Sequence, residues 1–162
     1  MKMDYEKIEI NVIISKVATL IDCLNNYQSS HKNLLEDLLL KCDYKDIYNK
    51  NLMLSEYHVI DCIGKNQLPN AKFISKELNM TKGGISKLTT KLLEKDLIKG
   101  ARLENNKKEI YYTLTRQGKE AFEIHEKLHK IEHEKFITMF SKYDDEKLNI
   151  INNFLDDFIN EL

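Results

Sequence analysis

Between residues 71 and 114 the spacing of apolar side chains switches from helical steps to strand alternation, and few folds accommodate that switch. Pro69-Asn70 marks a turn, and Asn70 is placed to cap a helix over about 71–78. A connection at 79–80 leads to Thr81, which is placed to cap a second helix over about 81–95. Two short helices joined by a three- or four-residue turn make a helix–turn–helix. Leu97-Ile98-Lys99-Gly100-Ala101-Arg102-Leu103 and Glu109-Ile110-Tyr111-Tyr112-Thr113-Leu114 then read as strands around the polar turn at 104–108. A hairpin directly after a helix–turn–helix is a wing.

Helical patterns flank this core. Ile10, Ile13, Ile14, Val17, Leu20, Ile21 and Leu24 recur at three- and four-residue steps, and Leu34, Leu35, Leu38 and Leu39 continue them. The pattern predicts a break near 28–32 and a loop over 43–53. A short helix is expected at about 54–65, capped by Ser55, with Tyr57, Ile60 and Ile63 facing inward. Thr115 is placed to cap a long helix to about 141. Asp144 is placed to cap a last one over about 145–161, with Ile150, Ile151, Phe154, Leu155 and Phe158 as its apolar stripe. One proline and five glycines in 162 residues favour helix over sandwich or barrel, so the expected fold is mainly α with a small β-hairpin wing.

Charge is unevenly placed. Residues 72–119 hold twelve Lys/Arg and five Asp/Glu, a local balance of +7 in a chain whose net charge is −1. A basic middle between acidic flanks suits a phosphate-binding face on an acidic scaffold. No apolar run is long enough to span a membrane, and the acidic N-terminus does not read as an export signal. Cys23, Cys42 and Cys62 show no C-x-x-C spacing, which suits reduced thiols in a cytoplasmic protein.

On a projection of residues 82–95, Ile85, Leu88 and Leu92 fall on one face. Gly83, Ser86, Lys87 and Thr90 fall on the other, with Lys82 and Lys91 at its edges. Small residues let a helix enter a major groove about 12 Å wide. Ser86 and Thr90 offer hydrogen bonds to bases or phosphates, and Thr81, Lys82, Lys87 and Lys91 complete the face. Arg102, Lys107 and Lys108 place further cations at the wing, within reach of an adjacent minor groove. The expected partner is double-stranded DNA. A winged helix serving as a protein-interaction module is the alternative, and it would not need the basic segment.

The stretches Phe73-Ile74-Ser75-Lys76-Glu77-Leu78-Asn79-Met80-Thr81, Ile85-Ser86-Lys87-Leu88 and Leu92-Leu93-Glu94-Lys95-Asp96-Leu97-Ile98 resemble the winged-helix core of the MarR family. Tyr112-Thr113-Leu114-Thr115-Arg116-Gln117-Gly118 resembles that family's strand-to-helix junction. The resemblance implies an N-terminal dimerisation region over 1–45, a DNA-binding region over 52–115 and C-terminal dimerisation helices over 116–162. It also implies a homodimer on a pseudo-palindromic operator, with affinity set by an effector. Two departures stand out. Asn105-Asn106-Lys107-Lys108 replaces the family's frequent Asp-Arg-Arg run, giving phosphate charge without the bidentate fork, and Met53 replaces the usual threonine before the 54–65 helix.

His125, His129 and His133 share one helical face at four-residue spacing, and two histidines one turn apart are a common zinc grip. The zinc-responsive repressors of streptococci and lactococci belong to the same family. Resemblance to them implies a metal site of His58, His125 and His129, with His31, Glu36 and Cys42 as candidates for a further ligand. A small phenolic ligand, or oxidation of Cys23, is the rival input. His125-Glu126-Lys127-Leu128-His129 resembles the H-E-x-x-H motif of metalloproteases, but without a catalytic-domain context no enzyme is expected.

Overall fold

The computed structural model describes residues 2–42 and 44–161, with backbone alone at 2–8, 25–26 and 28–30. The chain runs α1 (Lys2–Lys41), α2 (Lys45–Asn49), α3 (Leu54–Lys65), α4 (Ala71–Glu77), α5 (Lys82–Glu94), β1 (Ile98–Leu103), β2 (Asn106–Leu114), α6 (Arg116–Phe140) and α7 (Asp145–Asn160). No described helix is long and apolar enough to cross a membrane.

Local chemistry sets these boundaries. The Asn70 side chain accepts from the Phe73 N–H and starts α4, and Thr81, Thr115 and Asp144 cap α5, α6 and α7 in the same way. The turn between α4 and α5 puts Asn79 at φ 49°, a left-handed backbone that asparagine tolerates better than most residues. Ser75 Oγ closes that turn by donating to the Met80 carbonyl at 2.6 Å.

Three expectations change. α1 is continuous through 28–32, because its inward residues Leu35, Leu38 and Leu39 extend the same helical stripe as Ile10 to Leu24. The expected loop at 43–53 contains α2, anchored by Ile47, which is 1% exposed. Met53, not Ser55, precedes α3, and its N–H is satisfied by the Glu56 carboxylate at 2.8 Å. That carboxylate works from inside the first turn, where a negative group also suits the helix dipole.

The core joins Tyr57, Val59 and Ile60 of α3, Ile74 of α4, Ile85 and Leu92 of α5, Leu97, Ile98, and Ile124 and Leu128 of α6. β1 and β2 form a two-stranded antiparallel hairpin, and an isolated bridge from Asn70 to Tyr111 adds a short third edge. Ile10, Ile13, Ile14, Leu20, Ile21 and Leu24 of α1 are exposed in the single chain. α7 buries nothing, and its Ile150, Phe154 and Leu155 are exposed as well.

Candidate nucleic-acid interface and metal centre

α5 separates its residues by solubility. Ile85, Leu88, Thr89 and Leu92 are buried, whereas Thr81, Lys82, Gly83, Ser86, Lys87, Thr90 and Lys91 are exposed. Each buried aliphatic contributes roughly 1.5–3 kcal/mol against leaving it in water, which fixes the helix's rotation about its axis. The outward face is therefore small, hydroxylated and basic. Arg102, Lys107 and Lys108 are exposed on the wing beside it.

The far end of α5 is tied to α3. Lys95 donates to both carboxylate oxygens of Glu56, at 2.8 and 3.0 Å, and Glu56 is 1% exposed. Lys50 Nζ donates to the Lys95 carbonyl at 2.6 Å.

A histidine cluster lies where α1, α3 and α6 meet. Among the described residues, His31, His125 and His129 place a ring nitrogen each within 4.8 Å of one another. His31 and His125 are buried and face each other, Nε2 to Nε2, at 3.3 Å. His125 Nδ1 lies 2.8 Å from Asp61 Oδ2, and His31 Nδ1 lies 3.0 Å from Glu132 Oε1. A carboxylate that takes the Nδ1–H leaves Nε2 as a lone pair, the outer-shell arrangement found behind metal-bound imidazoles. His129 is half-buried, with Nε2 at 3.7 Å from Asp61 Oδ2. The Asp61 Oδ1 oxygen is buried and has no hydrogen-bond partner. Two nitrogens at about 2.0–2.1 Å from one tetrahedral zinc would sit about 3.3–3.4 Å apart, so the His31–His125 separation fits such an ion.

The expected ligands distribute unevenly. His125 and His129 enter the cluster, and His31 joins them from α1. His58 is exposed, its ring 6.0 Å from that of His125, outside the close group. Glu36 pairs with Lys32 at 3.6 Å, and Cys42 Sγ accepts from Lys127 Nζ at 3.2 Å, both away from the cluster. His133 is exposed. Asp61 and Glu132 are absent from the sequence reading, although each stands three residues after a histidine, His58 and His129, and so on the same helical face. Burial pushes the Cys62 thiol up to about 11, so this cysteine is an inert core residue.

His129 and His58 are both held below the ordinary value of 6.5, first by the loss of water around each ring, which for His58 is partial because the residue keeps a solvent-facing side, and then by the neighbouring His125. Such groups bind fewer protons folded than unfolded, so stability falls as pH drops through 6.5 toward their folded values. The melting temperature is expected to decrease on acidification below 6.5, with a shallower decrease in His58→Asn. Differential scanning fluorimetry across pH checks this; identical slopes in the two proteins would remove His58 as a contributor.

A family model described as a winged helix DNA-binding domain matches residues 58–143. The HTH-type transcriptional regulator PchR of Bacillus subtilis is 35% identical over 109 residues, 67% of this chain and 64% of that protein. The uncharacterized HTH-type transcriptional regulator YhjH of the same organism is 30% identical over 142 residues, 88% of this chain and 81% of that protein. Among solved structures, the zinc-responsive MarR family member ZitR of Lactococcus lactis superposes with a TM-score of 0.65 at 22% identity, covering 68% of this chain and 76% of that one. Wild-type ZitR in complex with DNA superposes at 0.62, with 22% identity over 68% of this chain and 77% of that one.

Proposed function

We propose, on the premise that this chain belongs to the MarR family of winged-helix DNA-binding transcription regulators, that it is a homodimeric repressor of a pseudo-palindromic operator, tightened on DNA by zinc. Zinc-responsive ZitR supports the choice of metal as a fold neighbour. The observation that carries the reading is the double attachment of α3. Its Asp61 backs His125 of the cluster, and its Glu56 holds Lys95 at the end of the recognition helix.

Each element has a role in this reading. The exposed stripes of α1 and α7 pack against a second copy, setting two α5 helices into successive major grooves. Ser86 and Thr90 read base edges, and Lys82, Lys87, Lys91, Arg102, Lys107 and Lys108 hold phosphates. His31, His125 and His129 would hold the ion, with Asp61 and Glu132 orienting two of the rings. When bound, zinc supplies a cross-link between α1 and α6. Asp61 and Glu56 then restrict how α3 and α5 tilt against the helical base. The effect on DNA equals the difference in metal affinity between DNA-competent and other arrangements, commonly 5- to 150-fold, or about 1–3 kcal/mol.

A salt series tests the DNA reading. About twelve phosphate contacts per dimer, about six from each copy, predict that log K falls against log salt with a slope near −11, and Lys87→Ala should make it shallower by about two. Affinity indifferent to salt would instead favour a protein-interaction module.

Gly83 separates function from stability. A Cβ added there meets nothing within 4 Å, so Gly83→Ala is expected to stabilise the folded chain by about 0.5–1 kcal/mol. The same methyl stands on the DNA-facing surface and should weaken DNA binding several-fold. Urea unfolding beside fluorescence anisotropy reads both effects; tighter binding would move the groove contact off this face.

A second reading has one observation in its favour. A cavity of about 390 Å³ between α1, α2 and α3 is lined by Leu35, Leu39, Ile47 and Tyr57, with Lys32 and Glu36 beside them. A small phenolic effector would fit a space of that size and lining.

A further inference from the structure

The wing carries its cations where the β ladder does not hold them. β1 and β2 pair regularly from Ile98–Leu114 to Ala101–Tyr111, but the next pair is Leu103–Asn106. Arg102 alone on β1 therefore faces Lys107, Lys108, Glu109 and Ile110 on β2. In a bulge of that size ladder hydrogen bonds do not set the chain's direction, so side-chain contacts must.

Glu109 supplies such contacts. Its Oε2 accepts from Asn70 Nδ2 at 2.6 Å, from Asn106 Nδ2 at 3.3 Å and from the Tyr111 hydroxyl at 3.3 Å. Asn70 caps α4 at the same time, its Oδ1 accepting from the Phe73 N–H at 2.8 Å. One amide thus holds the first helix of the helix–turn–helix with its oxygen and the wing bulge with its nitrogen. A carboxylate beside two lysines aimed at phosphate is electrostatically adverse for binding DNA. Its placement makes sense if the geometry it imposes outweighs its charge.

We infer that Glu109 is a positioning residue for the DNA-bound wing. Through Asn70 it fixes Lys107 and Lys108 relative to α4 and α5, so that wing and recognition helix engage the duplex together without a further ordering cost. The inference rests on the wing contacting DNA, as proposed above.

The test is a salt series on the full-length dimer with a random-sequence duplex of about 30 base pairs, roughly three helical turns. Glu109→Ala is expected to weaken binding about tenfold and to lower the slope of log K against log salt by about two, one contact per wing. Glu109→Gln keeps an acceptor oxygen and should bind at least as well as the wild type. Asn70→Ser keeps a cap for α4, loses the amide donor and should match Glu109→Ala, with no further loss in the double variant. Urea midpoints for each variant confirm that the fold is intact. Equal tightening in Glu109→Ala and Glu109→Gln would reduce Glu109 to a repelling charge and overturn the inference. An unchanged slope in Glu109→Ala would also overturn it, provided that Lys107→Ala/Lys108→Ala lowers the slope. An unchanged slope in that double lysine variant would instead overturn the wing contact itself, and the inference with it.

Discussion

Gly118→Ala is expected to lower stability by about 3 kcal/mol or more, at the upper end of what overpacking a core costs. Gly118 lies in the first turn of α6, its N–H given to the capping Thr115 Oγ1 at 3.0 Å. A Cβ there would lie inside the van der Waals envelope of the Leu97 carbonyl oxygen and 3.4 Å from Leu114 Cβ. That carbonyl cannot move freely, because it accepts from the Thr115 N–H at 3.0 Å, which joins the start of β1 to the start of α6. The methyl must therefore push α6 away from the wing or break the Thr115 bond. Equilibrium urea unfolding should show a lower midpoint at unchanged slope. A midpoint within experimental scatter of the wild type would mean that α6 and the wing are not packed as described.

His129→Ala is expected to weaken zinc binding at least about 100-fold, since losing an outer-shell partner alone costs about 10- to 100-fold. His129 is the better position for this test because it is half-exposed and its removal leaves the core intact. His125 is fully buried, and truncating it would strip Asp61 of its hydrogen-bond partner, mixing a folding defect with a binding defect. Asp61→Asn should fall between the wild type and His129→Ala, losing about 10- to 100-fold while keeping side-chain volume. In both variants DNA binding without metal should persist, because neither residue lies on α5 or the wing. Isothermal titration of metal-free protein with zinc reads these affinities. Wild-type affinity in His129→Ala would exclude that ring as a ligand.

The winged-helix part of the molecule was legible from sequence because its signals are local. Caps at Asn70, Thr81, Thr115 and Asp144 mark helix starts, and the alternation of Ile85, Leu88 and Leu92 with Ser86, Lys87 and Thr90 sets the exposed face of α5. α2 was missed because five residues around one buried Ile47 carry too little periodicity to register. The strand boundary at 106 was also missed, since the bulge at 107–110 breaks the alternation that marks a strand. The histidine cluster was half legible. His125 and His129 announce themselves by spacing within α6, and His31 was one of three candidates for a further ligand, whereas Asp61 was not singled out; these two reach the site across 94 and 64 residues of chain. Contacts at that separation leave no periodic trace, although an acid three residues after a histidine was a readable hint for both Asp61 and Glu132.

The most direct test of the account is the affinity of the wild-type protein for one duplex, selected as the tightest binder from a random pool, measured with saturating zinc and again with chelator. Coupling through α3 predicts binding at least about fivefold tighter with the metal. Equal affinity in the two conditions would contradict it, leaving a DNA-binding protein whose histidine cluster is structural.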